Sequence, residues 1–150
     1  MHAIPSAFFC YKKALFPCVG QKRGLMRLIL CAAALMGLSS VIFGAAGDHL
    51  LVDNLTTAMT DRFDVALRYH QNYSIVLLAV ALYGMTRVIP SRILMAAACL
   101  FFVGTLIFCG TLYASLYWQA EGLTAGTPIG GLSLMTGWIL LLVYAIRGTR

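Results

Sequence analysis

Four apolar runs dominate the chain, at about 28–47, 69–86, 93–117 and 129–146, with short polar stretches between them. The first is 20 residues, and a helix of that length rises about 30 Å, one hydrocarbon thickness. Small residues recur inside the runs with a heptad-like period. Ala33, Gly37, Ser40, Gly44 and Gly47 stand at offsets 0, 4, 7, 11 and 14, on one helix face. In lipid such a stripe is a packing seam, because close backbone approach gains dispersion contact. On the helix that leads into and through the second run, Phe63, Leu67, His70, Ser74, Leu77, Ala81 and Gly84 share one stripe, and this face is expected to pack against the first span. Ala97, Gly104 and Thr111 repeat every seven residues in the third, and Gly130, Ser133 and Gly137 mark a close face in the fourth. The pattern predicts an all-α, polytopic membrane protein: four transmembrane helices in an up-down bundle, with helix packing at Gly37, Ser40, Gly44, Gly47, Ser74, Gly84, Gly104, Gly130 and Gly137.

The polar stretches set the boundaries. Residues 48–60 read as a connection, with the next helix starting near Thr60 and Asp61 and with Asp61 and Asp64 in its first turn. Asp64 and Arg68 are spaced as an i,i+4 pair in the favourable order. Arg87 to Arg92 is a tight turn broken by Pro90. Gln119 to Pro128 is a Gly-rich loop, and Pro128 sits where the first turn of a helix tolerates proline. Gly126 and Gly130 form a GxxxG spacing, but the intervening Pro128 makes it a turn and helix start in preference to a dimerisation face.

Composition makes lipid the solvent. Of the 150 residues 61% are hydrophobic and only 11% charged, where a soluble domain has roughly 25%. A soluble fold of this size has no interior large enough for that much apolar surface. The formal charge of +6 reports topology and contact with anionic lipid. No clustered basic-aromatic face exists for nucleic acid, so no nucleic-acid partner is expected. The five cysteines include no CxxC pair, and three lie inside apolar runs, so neither a disulfide framework nor a zinc site is expected.

The charges also orient the bundle. Lys12, Lys13, Lys22, Arg23, Arg27, Arg87, Arg92, Arg147 and Arg150 make nine of the eleven basic residues, and all fall on one side of a four-span topology. Arg62 and Arg68 fall on the other, with all five acids. The positive-inside rule then places both termini in the cytoplasm. Tyr69, Tyr73, Tyr113, Tyr117 and Trp118 fall toward the outer interface, as an aromatic belt does. Residues 1–25 read as a basic leader, disordered or an upstream extension ahead of a start at Met26, and residues 26–150 as the transmembrane domain. A cleavable signal ending near Ala46 is the alternative reading of the first run, which is long for that role.

This topology gathers Asp48, His49, Arg68 and His70 at one outer corner. A charge deep in lipid costs roughly 2.5–3.5 kcal/mol or more, so such residues pair, point inward or sit at the interface. The plain structural reading is a satisfied interfacial cluster. The functional reading is a polar pocket for proton relay or a small polar ligand. A metal site is not expected, because three ligands at helical spacing are missing. No nucleophile elbow, P-loop or HExxH motif occurs, and no cofactor is implied.

Four segments together carry a family resemblance: Phe43 to Leu50 (Phe-Gly-Ala-Ala-Gly-Asp-His-Leu), Tyr69-His70 with Ser74 to Ala79, Gly110 to Tyr113, and Thr127 to Gly131 with Gly137-Trp138. In order and spacing the chain resembles the small four-helix membrane proteins grouped as domain of unknown function 423, which include the transmembrane-protein-256-like proteins. Ala46 and Asp48 depart from that family's first motif, and Tyr73 stands where a second histidine is frequent. The resemblance implies a multi-pass protein of the plasma or inner membrane, and no activity.

Absent catalytic motifs and abundant packing motifs lead to an expected role as a non-enzymatic membrane component, an accessory or assembly partner. Its expected partners are the lipid bilayer and a second copy or another membrane protein. The alternative is a small proton-coupled or small-solute transporter using the outer-face cluster. A membrane-embedded enzyme has only that same cluster in its favour.

Overall fold

The computed structural model describes residues 7–47, 56–87, 90–118 and 121–147, and of residues 7–21, 121 and 123 the backbone alone. Within them the chain is all-helical: α1 (Ala7–Ala46), α2 (Thr57–Thr86), α3 (Arg92–Trp118) and α4 (Thr127–Arg147), with a 3-10 segment at Glu121–Gly126. Three stretches are long and apolar enough to cross a membrane: Lys22–Ala46, Arg92–Trp118 and Thr124–Arg147.

Close contacts between neighbouring helices fix their directions. Gly47 lies against Phe63, Gly44 against Leu67 and Gly84 against Met26, so α1 and α2 are antiparallel. The Cys109 thiol donates to the Ala66 carbonyl at 3.3 Å, and the Tyr73 and Phe101 rings lie 5.6 Å apart, so α2 and α3 are antiparallel. Thr111 and Thr127 share a hydroxyl hydrogen bond at 3.0 Å, while Phe101 packs on Gly137, so α3 and α4 are antiparallel too. Each helix therefore packs mainly on its chain neighbour, in an up-down order. A second tie runs from α4 to α2, where the Trp138 indole N–H donates to the Tyr73 hydroxyl at 3.1 Å.

The core is built from the seams. Met26, Ile29, Ala33 and Met36 from α1 meet Leu77, Val80 and Ala81 from α2, with Leu94, Ala97, Ala98 and Phe101 from α3 and Leu134 from α4. Most of the expected packing positions are occupied at close range. A Cβ on Gly84 would come within 2.7 Å of the Met26 sulfur, on Gly104 within 2.8 Å of Leu134, and on Gly137 within 2.7 Å of Phe101. At Gly130 it would meet backbone, the Phe108 nitrogen at 2.6 Å. Ser40 and Ser74 are buried and turn their hydroxyls back to carbonyls of their own helix, at 2.8 and 2.6 Å. Gly37 differs: a Cβ there would meet nothing within 4 Å. Met36 and Ser40 carry the α1 seam past it, because the buried line runs Met26, Ile29, Ala33, Met36, Ser40 and leaves Gly37 at its edge.

Two expected boundaries move. α2 starts at Thr57, three residues ahead of Thr60, with Thr56 at its N-cap and no side-chain cap bond. Asp61 and Asp64 therefore stand in the second turn. The described part of the leader is helical from Ala7 and continuous with the first span. Once a long apolar helix is nucleated, propagating it backwards costs little per residue.

Candidate functional site

The most enclosed polar group of the expected cluster is His70. It lies on the inward face of α2, only 8% exposed. Its position follows from the α2 pattern, because the stripe of Phe63, Ala66, His70, Ser74 and Leu77 turns inward as a unit. Across from it on α1, Ser39 Oγ stands 3.3 Å from His70 Nε2. Ser39 has one hydroxyl proton and donates it to the Met36 carbonyl at 3.0 Å. With that proton on the Met36 carbonyl, the Ser39 oxygen accepts from His70, the tautomer that carries its ring proton on Nε2 and has Nδ1 as an acceptor. Nδ1 is buried and has no partner.

The third wall is α3. Tyr113 presents its ring edge to His70 at a centroid distance of 6.1 Å and also touches Phe43 at 5.0 Å and Phe63 at 5.8 Å. Its hydroxyl is likewise buried without a partner. Between these walls lies a cavity of about 250 Å³, lined by Met36, Ser39 and Phe43 of α1, His70 of α2, and Thr105, Leu106, Cys109, Gly110 and Tyr113 of α3. The other polar groups of the lining are engaged. Thr105 donates to the Phe101 carbonyl at 2.6 Å, and Cys109 to Ala66. The cavity's mouth lies between α1 and α3, where Phe43 and Leu106 are 41% and 52% exposed.

Of the expected cluster, Arg68 is exposed on the face of α2 opposite His70, since two residues turn a helix through about 200°. The two are therefore not brought together. Asp48 and His49 lie outside the described residues. Among the described residues no ion pair joins Asp64 to Arg68, both of which are exposed, and no three His, Cys, Asp or Glu side chains converge as a metal site would require. Sequence reasoning missed Ser39 and Tyr113 as His70's companions. Tyr113 stood among the expected interfacial aromatics, and heptad spacing gave no inward signal, since Leu106 seven residues before it is exposed.

A second polar cluster closes the other end of α2. Arg87 donates to the Tyr83 hydroxyl and lies over its ring at 4.7 Å, and Tyr83 meets Tyr144 of α4 at 3.4 Å. These residues line an open cavity of about 590 Å³ between α2, α3 and α4.

A helical bundle with three stretches long and apolar enough to cross a membrane defines a multi-pass membrane protein. The chain belongs to the family described as protein of unknown function (DUF423), whose model matches residues 43–131. It is similar to a UPF0382 membrane protein of Staphylococcus haemolyticus, 31% identical over 81% of this chain and 98% of the relative. It is also similar to the UPF0382 inner membrane protein YgdD of Escherichia coli K12, 30% identical over 83% of this chain and 93% of the relative. The UPF0382 membrane protein YwdK of Bacillus subtilis is 27% identical over 81% of this chain and 98% of its own length. No solved structure matches the chain.

Proposed function

We propose that this protein is a non-enzymatic inner-membrane component that spans the bilayer four times, keeps both termini in the cytoplasm and acts by assembling with another membrane helix. The fourth span is α2, whose apolar content is diluted by polar residues. Its support is the register with α1: from Phe63 at Gly47 to Gly84 at Met26 the contacts run over a helix length of about 31 Å, one hydrocarbon thickness. A helix paired along a spanning helix over that length is itself at membrane depth. The orientation rests on the basic residues gathered at one end of the bundle, while the other end carries the exposed Tyr117 and Trp118.

The observation that carries the assembly role is the outward face of α2. Arg68 and Asn72 are exposed there, and the exposed Gln71 stands at the edge of that face, its amide beside Gly44 of α1. Register places Asn72 at the depth of Leu38, midway along the first span, where no water is available to its amide. An unsatisfied polar group in hydrocarbon costs several kcal/mol. A second copy of the chain is the partner this face fits best. Amides donate and accept, so Asn72 pairs with its own copy across a two-fold axis. Asp64 and Arg68 stand one turn apart on the same face and offer each copy the opposite charge.

Purification in mild detergent tests this. The expected result is a stoichiometric dimer whose dissociation constant rises nearly tenfold on Asn72→Leu, from two symmetry-related hydrogen bonds at about 0.6 kcal/mol each. A different membrane protein recovered in fixed ratio keeps the assembly role and removes the self-pairing. A strictly monomeric, partnerless particle removes both.

The rival reading, a small proton-coupled or small-solute transporter, draws on the buried His70. It predicts flux in proteoliposomes that falls in His70→Ala and Asp48→Asn. Flux unchanged by both substitutions takes these residues out of any such mechanism.

A further inference from the structure

We infer that the His70 chamber is a binding site for a membrane-dissolved amphiphile that presents a hydroxyl group, entering sideways from the bilayer between α1 and α3. Three observations define this occupant. The first is the pair of orphaned groups. His70 Nδ1 and the Tyr113 hydroxyl are buried without a partner, and the two residues that carry them line one cavity from two sides. Buried polar atoms are paired in the great majority of cases, and each unpaired one calls for a missing partner.

The second is their chemistry. With Ser39 donating to the Met36 carbonyl, the His70 proton sits on Nε2 and Nδ1 needs a donor. The Tyr113 hydroxyl carries a free proton and needs an acceptor. One alcohol O–H does both, donating to Nδ1 and accepting from Tyr113. A carbonyl or ether meets only the tyrosine, and a cation meets only Nδ1.

The third is the shape and depth of the chamber. At about 250 Å³ it far exceeds the ~10–15 Å³ that a single water requires. Most of its lining is apolar: Met36, Phe43, Leu106 and the ring of Tyr113 offer surface to a hydrocarbon body. Ser39 and His70 sit near the middle of the first span in depth, and the exposed Phe43 and Leu106 at the mouth face lipid within about one helical turn of that level. A ligand arriving there comes from the bilayer. It is therefore an apolar molecule with a hydroxyl head, such as a long-chain alcohol or an acylglycerol.

Photolabelling of the full chain tests the assignment. The purified protein is irradiated with a diazirine-bearing hexadecanol and, in parallel, with the matching diazirine-bearing hexadecane, and adducts are mapped by mass spectrometry. The alcohol is expected to mark Met36, Phe43 and Leu106 about fivefold more than the hydrocarbon does, the worth of one hydrogen bond near 1 kcal/mol. Excess unlabelled hexadecanol should suppress those adducts. Tyr113→Phe keeps the ring and removes the hydroxyl, and should bring the alcohol down to the hydrocarbon's level. Should that variant fold poorly, the competition and the two-probe comparison on the unmodified chain decide alone. Equal marking by both probes overturns the assignment. So does full marking in a well-folded Tyr113→Phe, and so does the absence of adducts at all three residues, which would leave the chamber to water.

Discussion

Gly130 offers the sharpest quantitative test of the bundle. A methyl group there would lie 2.6 Å from the Phe108 backbone nitrogen and 2.8 Å from its Cα and Cβ. Two are backbone atoms of α3 and the third is a Cβ fixed by the backbone, so none can swing aside as a side chain end does. Gly130→Ala must therefore push α4 away from α3 along the seam that Gly104, Ser133, Leu134 and Gly137 share with it. Overpacking of this kind costs typically 1–3 kcal/mol, and a rigid neighbour puts it at the upper end. Alanine recovers up to about 1 kcal/mol through its better helix propensity. The net expectation is a loss of about 2 kcal/mol, more than tenfold in the folding equilibrium. Gly37→Ala is the matched control. Its Cβ meets nothing within 4 Å, so only the propensity gain remains and the variant should be as stable as the unmodified chain or slightly more so. Equilibrium unfolding in mixed micelles, followed by far-UV circular dichroism, measures both. Equal stability of the two alanine variants would refute the claim that the α3–α4 distance is set at Gly130.

Three further outcomes follow from the same packing. Phe101 is fully buried and touches Gly137, Tyr73 and Trp138, so Phe101→Ala should cost about 3–5 kcal/mol in the same unfolding assay. The Ser133 hydroxyl of α4 donates to the Leu100 carbonyl of α3 at 3.0 Å, and Ser133→Ala should lose about 0.6 kcal/mol, the average for an interhelical hydrogen bond in a bilayer. Gly84→Ala should be far milder than Gly130→Ala, below about 1 kcal/mol on the same assay, because the atom it meets at 2.7 Å is the end of the flexible Met26 side chain.

The sequence by itself determined the solvent, the helical class and which face of each helix is small enough to pack. Those properties are local. A 20-residue apolar run has to be a helix in lipid, and a heptad of Gly, Ala and Ser marks a seam whatever lies across it. His70 was legible as an inward residue for the same reason, through its stripe with Phe63 and Ser74. The partners of each seam were not legible, because lipid is as apolar as a neighbouring helix and hydropathy carries no preference between them. Only the tertiary structure set Phe101 on Gly137, Phe108 on Gly130 and Met26 on Gly84. It alone joined Ser39, His70 and Tyr113, which lie 31 and 43 positions apart in the chain, around one chamber. It also separated Arg68 from His70. Sequence spacing put both at one end of α2, but a two-residue step on a helix turns them to opposite faces, one toward α1 and the other away from the bundle.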